Sequence, residues 1–272
     1  MVPHGVTLYR ELSVEGRTRL VCASQLGSGD FLRAIPSNHL FRMDGSSFVT
    51  ALSRRVGVDL LAMVDVHRCS CGAALQNSSG SHYITCRHRG WPVITHDRVR
   101  NCVIEMLRQV VPSSRIRVPD RNIADHSWQV YSPHKRPDIT VLDWNGRGSH
   151  LVIDVAVVHP GASHHVDRAS WVPLHTCACR ERIKTAEYGQ LPIPHRFLPF
   201  VVDTFGGLGD SAARFLKELS RLRRGALCGE VDHATWSARY FWPFWRQRLS
   251  VVLQHTIGLG IVTRSIEDCS RG

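Results

Sequence analysis

Asp154 is the only charged residue in the apolar run 151–158 (LVIDVAVV), and a carboxylate buried alone there is costly unless a cation or hydrogen bonds compensate it. Asp138 opens the preceding apolar stretch, and Asn145-Gly146-Arg147-Gly148 between the two reads as a hairpin turn. Both acids lie eight residues from Gly146. A hairpin centred there sets them opposite each other, with Cβ atoms roughly 5 Å apart. Ile139 and Val141 fall on the other face, so a carboxylate face and a buried face separate. Two ionised carboxylates at that distance repel, which a divalent metal relieves and hydrolytic metal sites use. All-oxygen ligands suit Mg²⁺, or Mn²⁺. The plainer alternative is a solvated Asp138 beside an Asp154 bonded to local backbone or an arginine.

A second set of chemically able residues lies upstream. Cys69 and Cys71 are followed by His82 after ten residues and Cys86 after three more, in a Gly- and Ser-rich segment. Four such ligands suit tetrahedral Zn²⁺, with His67 or His88 as possible substitutes in the set. His175, Cys177 and Cys179 have a metal-like look but no fourth ligand nearby, so helix-face thiols are their default reading. The nine cysteines are an odd count and the first twenty residues hold no secretory apolar core. That points to a reducing compartment, with Cys22, Cys102 and Cys269 as buried thiols.

The elements that must position these groups follow from periodicity. Residues 48–61 read as a helix, and 97–111 as another with Pro112 as its stop; Val99, Val103, Leu107 and Val110 share its apolar face. Strands are expected at 115–118, 138–144, 151–158 and 197–204, and a helix at 173–188. The stretch 211–224 reads as a helix carrying Arg214, Lys217, Arg221 and Arg224 in one stripe opposite Phe215, Leu219 and Leu222, with one or two more helices in 234–256. No apolar run approaches the length of a membrane span. Lys plus Arg outnumber Asp plus Glu by 34 to 23 over 272 residues, a formal charge of +11, which points to a polyanionic partner, nucleic acid first. The basic stripe fits phosphate tracking as well as it fits an ordinary solvated face.

Arg136-Pro137-Asp138, fifteen residues, then Asp154 in an apolar strand resembles the PD-(D/E)xK motif of restriction-like nucleases. The resemblance implies an α/β fold with an α-β-β-β-α-β core, a small zinc-binding module and extra helices. In that family a lysine follows the second acid by two residues; Ala156 stands there in this chain. Endonucleases of non-LTR retrotransposons take the lysine from the next helix in a Lys-x-x-x-Tyr setting, which Lys184 and Tyr188 match. Glu105, in the first core helix, matches the place where related nucleases put an extra acid. The order CxCGA, GSHYITC, RHRG and HDRVRNCV resembles the CCHC segment preceding such endonucleases. Residues 30–62 resemble the connector after their reverse transcriptase; the chain has no Asp-Asp pair, so that polymerase's catalytic sequence is absent. The resemblance therefore divides the chain into a connector (1–62), a zinc knuckle (63–95), a restriction-like core (96–210) and basic, aromatic C-terminal helices (211–272). It implies Mg²⁺-dependent DNA cleavage of the target-site nicking type. DNA is the implied partner, together with the element's own RNA, in the nucleus, or in the cytoplasm before import, with no membrane partner. The alternative is a nucleic-acid-binding remnant without catalysis.

Overall fold

The apolar spacing in the first half of the chain builds helices before it builds a sheet. A computed structural model describes residues 9–60, 67–75, 80–119, 136–188, 191, 194–225 and 237–270. Helix α1 (Val14–Ala23) is capped by Ser13, whose side chain accepts from the Gly16 N–H. Helix α2 (Gly45–Val56) is capped by Asp44, which accepts from the Ser47 N–H at 2.8 Å. It starts three residues before the expected position and stops at Gly57, which adopts a left-handed conformation with φ 84°. A short helix, α3 (Ser81–Thr85), leads to α4 (Trp91–Arg108). Helix α4 begins earlier than the sequence suggested because Pro92 sits in its first turn, where no amide donor is needed.

The sheet follows. Strands β1 (Ile116–Arg117), β2 (Ile139–Val141), β3 (Leu151–Val158) and β4 (Arg196–Asp203) lie side by side in chain order. The first three pair antiparallel, and β3 pairs β4 in parallel. A parallel neighbour requires a crossover, supplied by helix α5 (His175–Tyr188). Strand β2 is shorter than expected because Asp143 is already turning, with φ 50° and its Oδ1 accepting from the Gly148 N–H at 2.7 Å. The fold is thus mixed α/β, with a small four-stranded mixed sheet and many helices.

Alternation along the strands sorts the two faces. Ile153 and Val155 of β3, with Ile139 and Val141 of β2, join one large core with Val103 and Leu107 of α4. Ala156 and Val201 point the other way, against Cys177 of α5. Helix α6 (Asp210–Gly225) closes the large core through Phe215, Leu216 and Leu219, all fully buried. Leu222 is 46 % exposed rather than part of that face, because Ala212, Phe215, Leu216 and Leu219 already fill the buried arc.

The C-terminal region forms one helix, α7 (Phe241–Cys269), of 29 residues. By length and composition it is apolar enough to cross a membrane, which corrects the reading that no run approaches that length. Its apolar window is 61 % buried within the protein, as befits a core helix packed on α2, α3 and α4. Gly258 and Gly260 look like breaks in the sequence but serve close approach. A Cβ at Gly258 would meet the Ser47 carbonyl oxygen at 2.5 Å, and one at Gly260 the Trp91 ring at 2.8 Å. Asp30 and Arg246, both largely buried, tie the N-terminal segment to this helix through two hydrogen bonds of 2.8 and 2.9 Å. Cys22 and Cys102 are buried as expected; Cys269, at the end of α7, is exposed.

Candidate active site and metal centre

The hairpin pairs Ile139 with Ile153, Thr140 with Val152 and Val141 with Leu151, the register that spacing about Gly146 predicts. Asp138, just before β2, and Asp154, within β3, therefore share the sheet face turned toward α5. Their carboxyls lie close enough for each to shift the other's ionisation, and Oδ2 of Asp138 accepts from the Val155 N–H at 2.7 Å. Lys184 reaches down from α5, its Nζ 2.7 Å from Oδ2 of Asp154 and 3.2 Å from Glu187. This is an ion pair by distance, yet Asp154 Oδ2 accepts no well-directed hydrogen bond. Burial pushes Asp154 up to about 6; Lys184 opposes that shift and Asp138 adds to it. Burial also acts upward on Asp138, but His96, Asp154 and the Val155 amide outweigh it and hold that carboxyl below its usual range.

His96 is the residue that sequence reasoning missed. Its Nε2 lies 3.2 Å from Asp138 Oδ2 and its Nδ1 3.1 Å from Asp97 Oδ1. The hydrogen bond to Asp138 raises its pKa to about 9 against the pull of burial. Only the packing of α4 on the hairpin brings the two together, so no local signal announces it. A cleft of about 620 Å³ collects Asp138, Asp154, Lys184 and His96, with Arg87 and Arg180 on its walls. His159, at the end of β3, also lines it, with Nδ1 2.8 Å from Thr204 Oγ1 and Nε2 unpartnered.

Other candidate residues lie elsewhere. Glu105 stands nine residues beyond His96, which in an α-helix is the opposite face, and lies 3.6 Å from Arg248 of α7. It is not brought to the acids. Tyr188 buries its ring against Phe197 in a stacked contact of 4.5 Å between centroids. In the basic stripe Arg214 pairs with Asp210 at 2.6 Å and Lys217 lies 5.8 Å from the Trp242 ring centroid, while Arg221 is exposed. The Arg224 side chain lies outside the described residues. His175 and Cys179 approach to 3.5 Å on one face of α5, but Cys177 is turned into the opposite, buried face.

The cysteine and histidine cluster assembles. A turn at Gly72 (φ 90°) folds Cys71 back beside Cys69, and α3 delivers His82 and Cys86. One ligand atom from each of the four lies within 4.8 Å of the others, so His67 and His88 are not needed. Helix α7 supplies the surroundings. Arg264, only 1 % exposed, donates to Cys69 Sγ at 3.3 Å and to the Tyr83 carbonyl at 2.7 Å, and it also reaches Cys86. Asp268 accepts from the Tyr83 hydroxyl at 3.0 Å and the Ser70 N–H at 3.1 Å. A guanidinium so buried is stabilised by negative charge beside it, and Arg264 holds the Cys86 thiol below its usual range against the pull of burial. Three thiolates and an imidazole could hold a metal such as zinc.

The class defined by fold and site is a mixed α/β protein with an acid–lysine cleft beside a Cys₃His cluster. Comparison of the chain with models of known protein families and with curated proteins finds no match to either.

Proposed function

We propose that the chain is a metal-dependent DNA endonuclease of the PD-(D/E)xK restriction-like type, joined to a zinc-holding module, and derived from the C-terminal region of a non-LTR retrotransposon protein. The observation that carries this reading is the meeting of Asp138, Asp154 and the Lys184 ammonium in one cleft. The element order α4, β1, β2, β3, α5, β4 supports it, since it repeats the α-β-β-β-α-β sequence expected from the motif.

The two acids fit a divalent cation. They are close and largely buried, and Oδ2 of Asp154 meets the Lys184 ammonium at 2.7 Å without a well-directed hydrogen bond. Asp138 and Asp154 would hold Mg²⁺ or Mn²⁺, which when bound supplies an activated water and neutralises charge on the scissile phosphate. The protein's own groups do the rest. His96, braced by Asp97, fixes the orientation of Asp138. Lys184 is placed to orient a water by hydrogen bonding and to steady charge on a phosphate oxygen. Ala156, on the same face as Asp154, packs against Cys177 and Val201, so the cation at the acids comes from the facing helix. Tyr188, one turn beyond Lys184, anchors that helix to β4.

The test is nicking of supercoiled plasmid in Mg²⁺. Wild type should nick, while Asp154→Ala and Lys184→Met should fall to background. Equal rates in wild type and Asp154→Ala would overturn the mechanism. Salt-sensitive DNA binding without cutting by wild type would favour a non-catalytic nucleic-acid-binding remnant.

A further inference from the structure

The cleft over the acids does not end at Asp138. A second hollow, of about 500 Å³, shares Arg87, Pro92, His96 and Asp138 with it and continues along α4 to Arg100 and Arg136. The two together form one groove that crosses the acids. Its walls carry Arg180 and Lys184 at the α5 end, Arg87 in the middle, and Arg100 and Arg136 at the other end. Lys184 and Arg100 are paired with Asp154 and Asp97. Among the described residues Arg87, Arg136 and Arg180 have no carboxylate partner, and Arg87 and Arg136 are exposed. Uncompensated guanidinium groups spaced along a groove match a chain of phosphates.

Arg87 has a further property. It follows Cys86 directly, and Thr85 on the other side of Cys86 lines the same cleft. The metal cluster is therefore built into the groove wall, and whatever fixes Cys86 fixes the Arg87 backbone. The α6 stripe contrasts with this, because none of its described cations, Arg214, Lys217 and Arg221, lines either hollow and Arg214 is already paired.

We infer that this groove is the track for the DNA backbone, with Arg87, Arg136 and Arg180 as phosphate contacts and Arg87 held in place by the Cys₃His site. The inference deepens the nuclease reading and rests on it for the choice of DNA as the polyanion. Its test is binding, read separately from cleavage. Fluorescence anisotropy with a labelled 30-base-pair duplex, the full chain and no added Mg²⁺ gives the slope of log affinity against log salt. Arg87→Gln, Arg136→Gln and Arg180→Gln should each weaken binding and reduce that slope by about one. Arg33→Gln, on the exposed N-terminal segment, should leave it unchanged. Co²⁺ absorption of the Arg87→Gln protein should match wild type, which separates a lost phosphate contact from a damaged cluster. Absence of salt-dependent binding overturns the inference, as does a slope that responds to Arg221→Gln and to none of the groove variants. Binding that follows these predictions without any nicking sustains the groove and overturns the nuclease reading alone.

Discussion

Arg264 shows how much of a site depends on one residue that no local pattern reveals. It lies almost 200 positions from Cys69, yet its buried guanidinium faces the sulfurs. Outer partners of this kind typically tune metal affinity 10–100-fold. Arg264→Met should therefore weaken zinc retention by roughly that factor, measured by competition with a chromogenic chelator; unchanged retention would mean that the thiolates do not need it. Asp203 offers a pH-dependent counterpart. Its Oδ1 accepts from the Phe205 and Gly207 amides, its Oδ2 has no partner, and burial raises its pKa to about 7. The folded protein keeps that proton to near pH 7, whereas the unfolded chain loses it near pH 3.9. The unfavourable contribution thus grows as pH rises between those values and is constant above them. Relative to wild type, Asp203→Asn should gain stability from pH 4 to 7, by at most about 1.4 kcal/mol per pH unit. Denaturant unfolding would show it, and a pH-independent difference would contradict it. Asp138, Asp154 and the four cluster ligands were legible because strand alternation, hairpin spacing and ligand type mark them locally, whereas Lys184 was singled out only by the Lys-x-x-x-Tyr resemblance. His96, Arg264 and Asp268 were not, because only tertiary packing gives each its partner.

Elements were read best where period and punctuation agreed. Strand β3 matches its expected span because an eight-residue run, apolar except for Asp154, is bounded by turns. Helix α7 was underestimated because Gly258 and Gly260 imitate breaks, when each is a contact surface for another element. The nearest obstacle at Gly258 is backbone, the Ser47 carbonyl at 2.5 Å, which cannot rotate away as a side chain can. Gly258→Ala should destabilise the protein by about 1–3 kcal/mol through overpacking, seen as a lower thermal midpoint; an unchanged midpoint would show that α2 and α7 can separate freely. The cap of α2 gives a gentler check. Asp44→Ala should cost about 1 kcal/mol in denaturant unfolding.

At the scale of the whole molecule, the metal cluster, the acid cleft and the C-terminal helix are one mechanical unit. One large hydrophobic core takes in Phe31, Tyr83, Val103, Phe215 and Ile261, so residues widely separated along the described chain pack together. Helix α7 touches the cluster through Arg264 and Asp268, and α2 and α4 through its apolar length. Chelation of zinc should accordingly speed hydrogen exchange in the last turns of α7 as well as in residues 67–90. Exchange confined to 67–90 would show the cluster to be a detachable appendage. This coupling is invisible in sequence, where the ligands at 69–86 and the helix at 241–269 stand far apart.

The central claim is that Asp138 and Asp154 together hold one divalent cation. Titration of Mn²⁺ into zinc-loaded protein, followed by electron paramagnetic resonance, measures that directly. Wild type should bind one Mn²⁺ that Mg²⁺ displaces, and Asp138→Asn and Asp154→Asn should each lose it. Retention of wild-type Mn²⁺ binding by both variants would contradict a shared site.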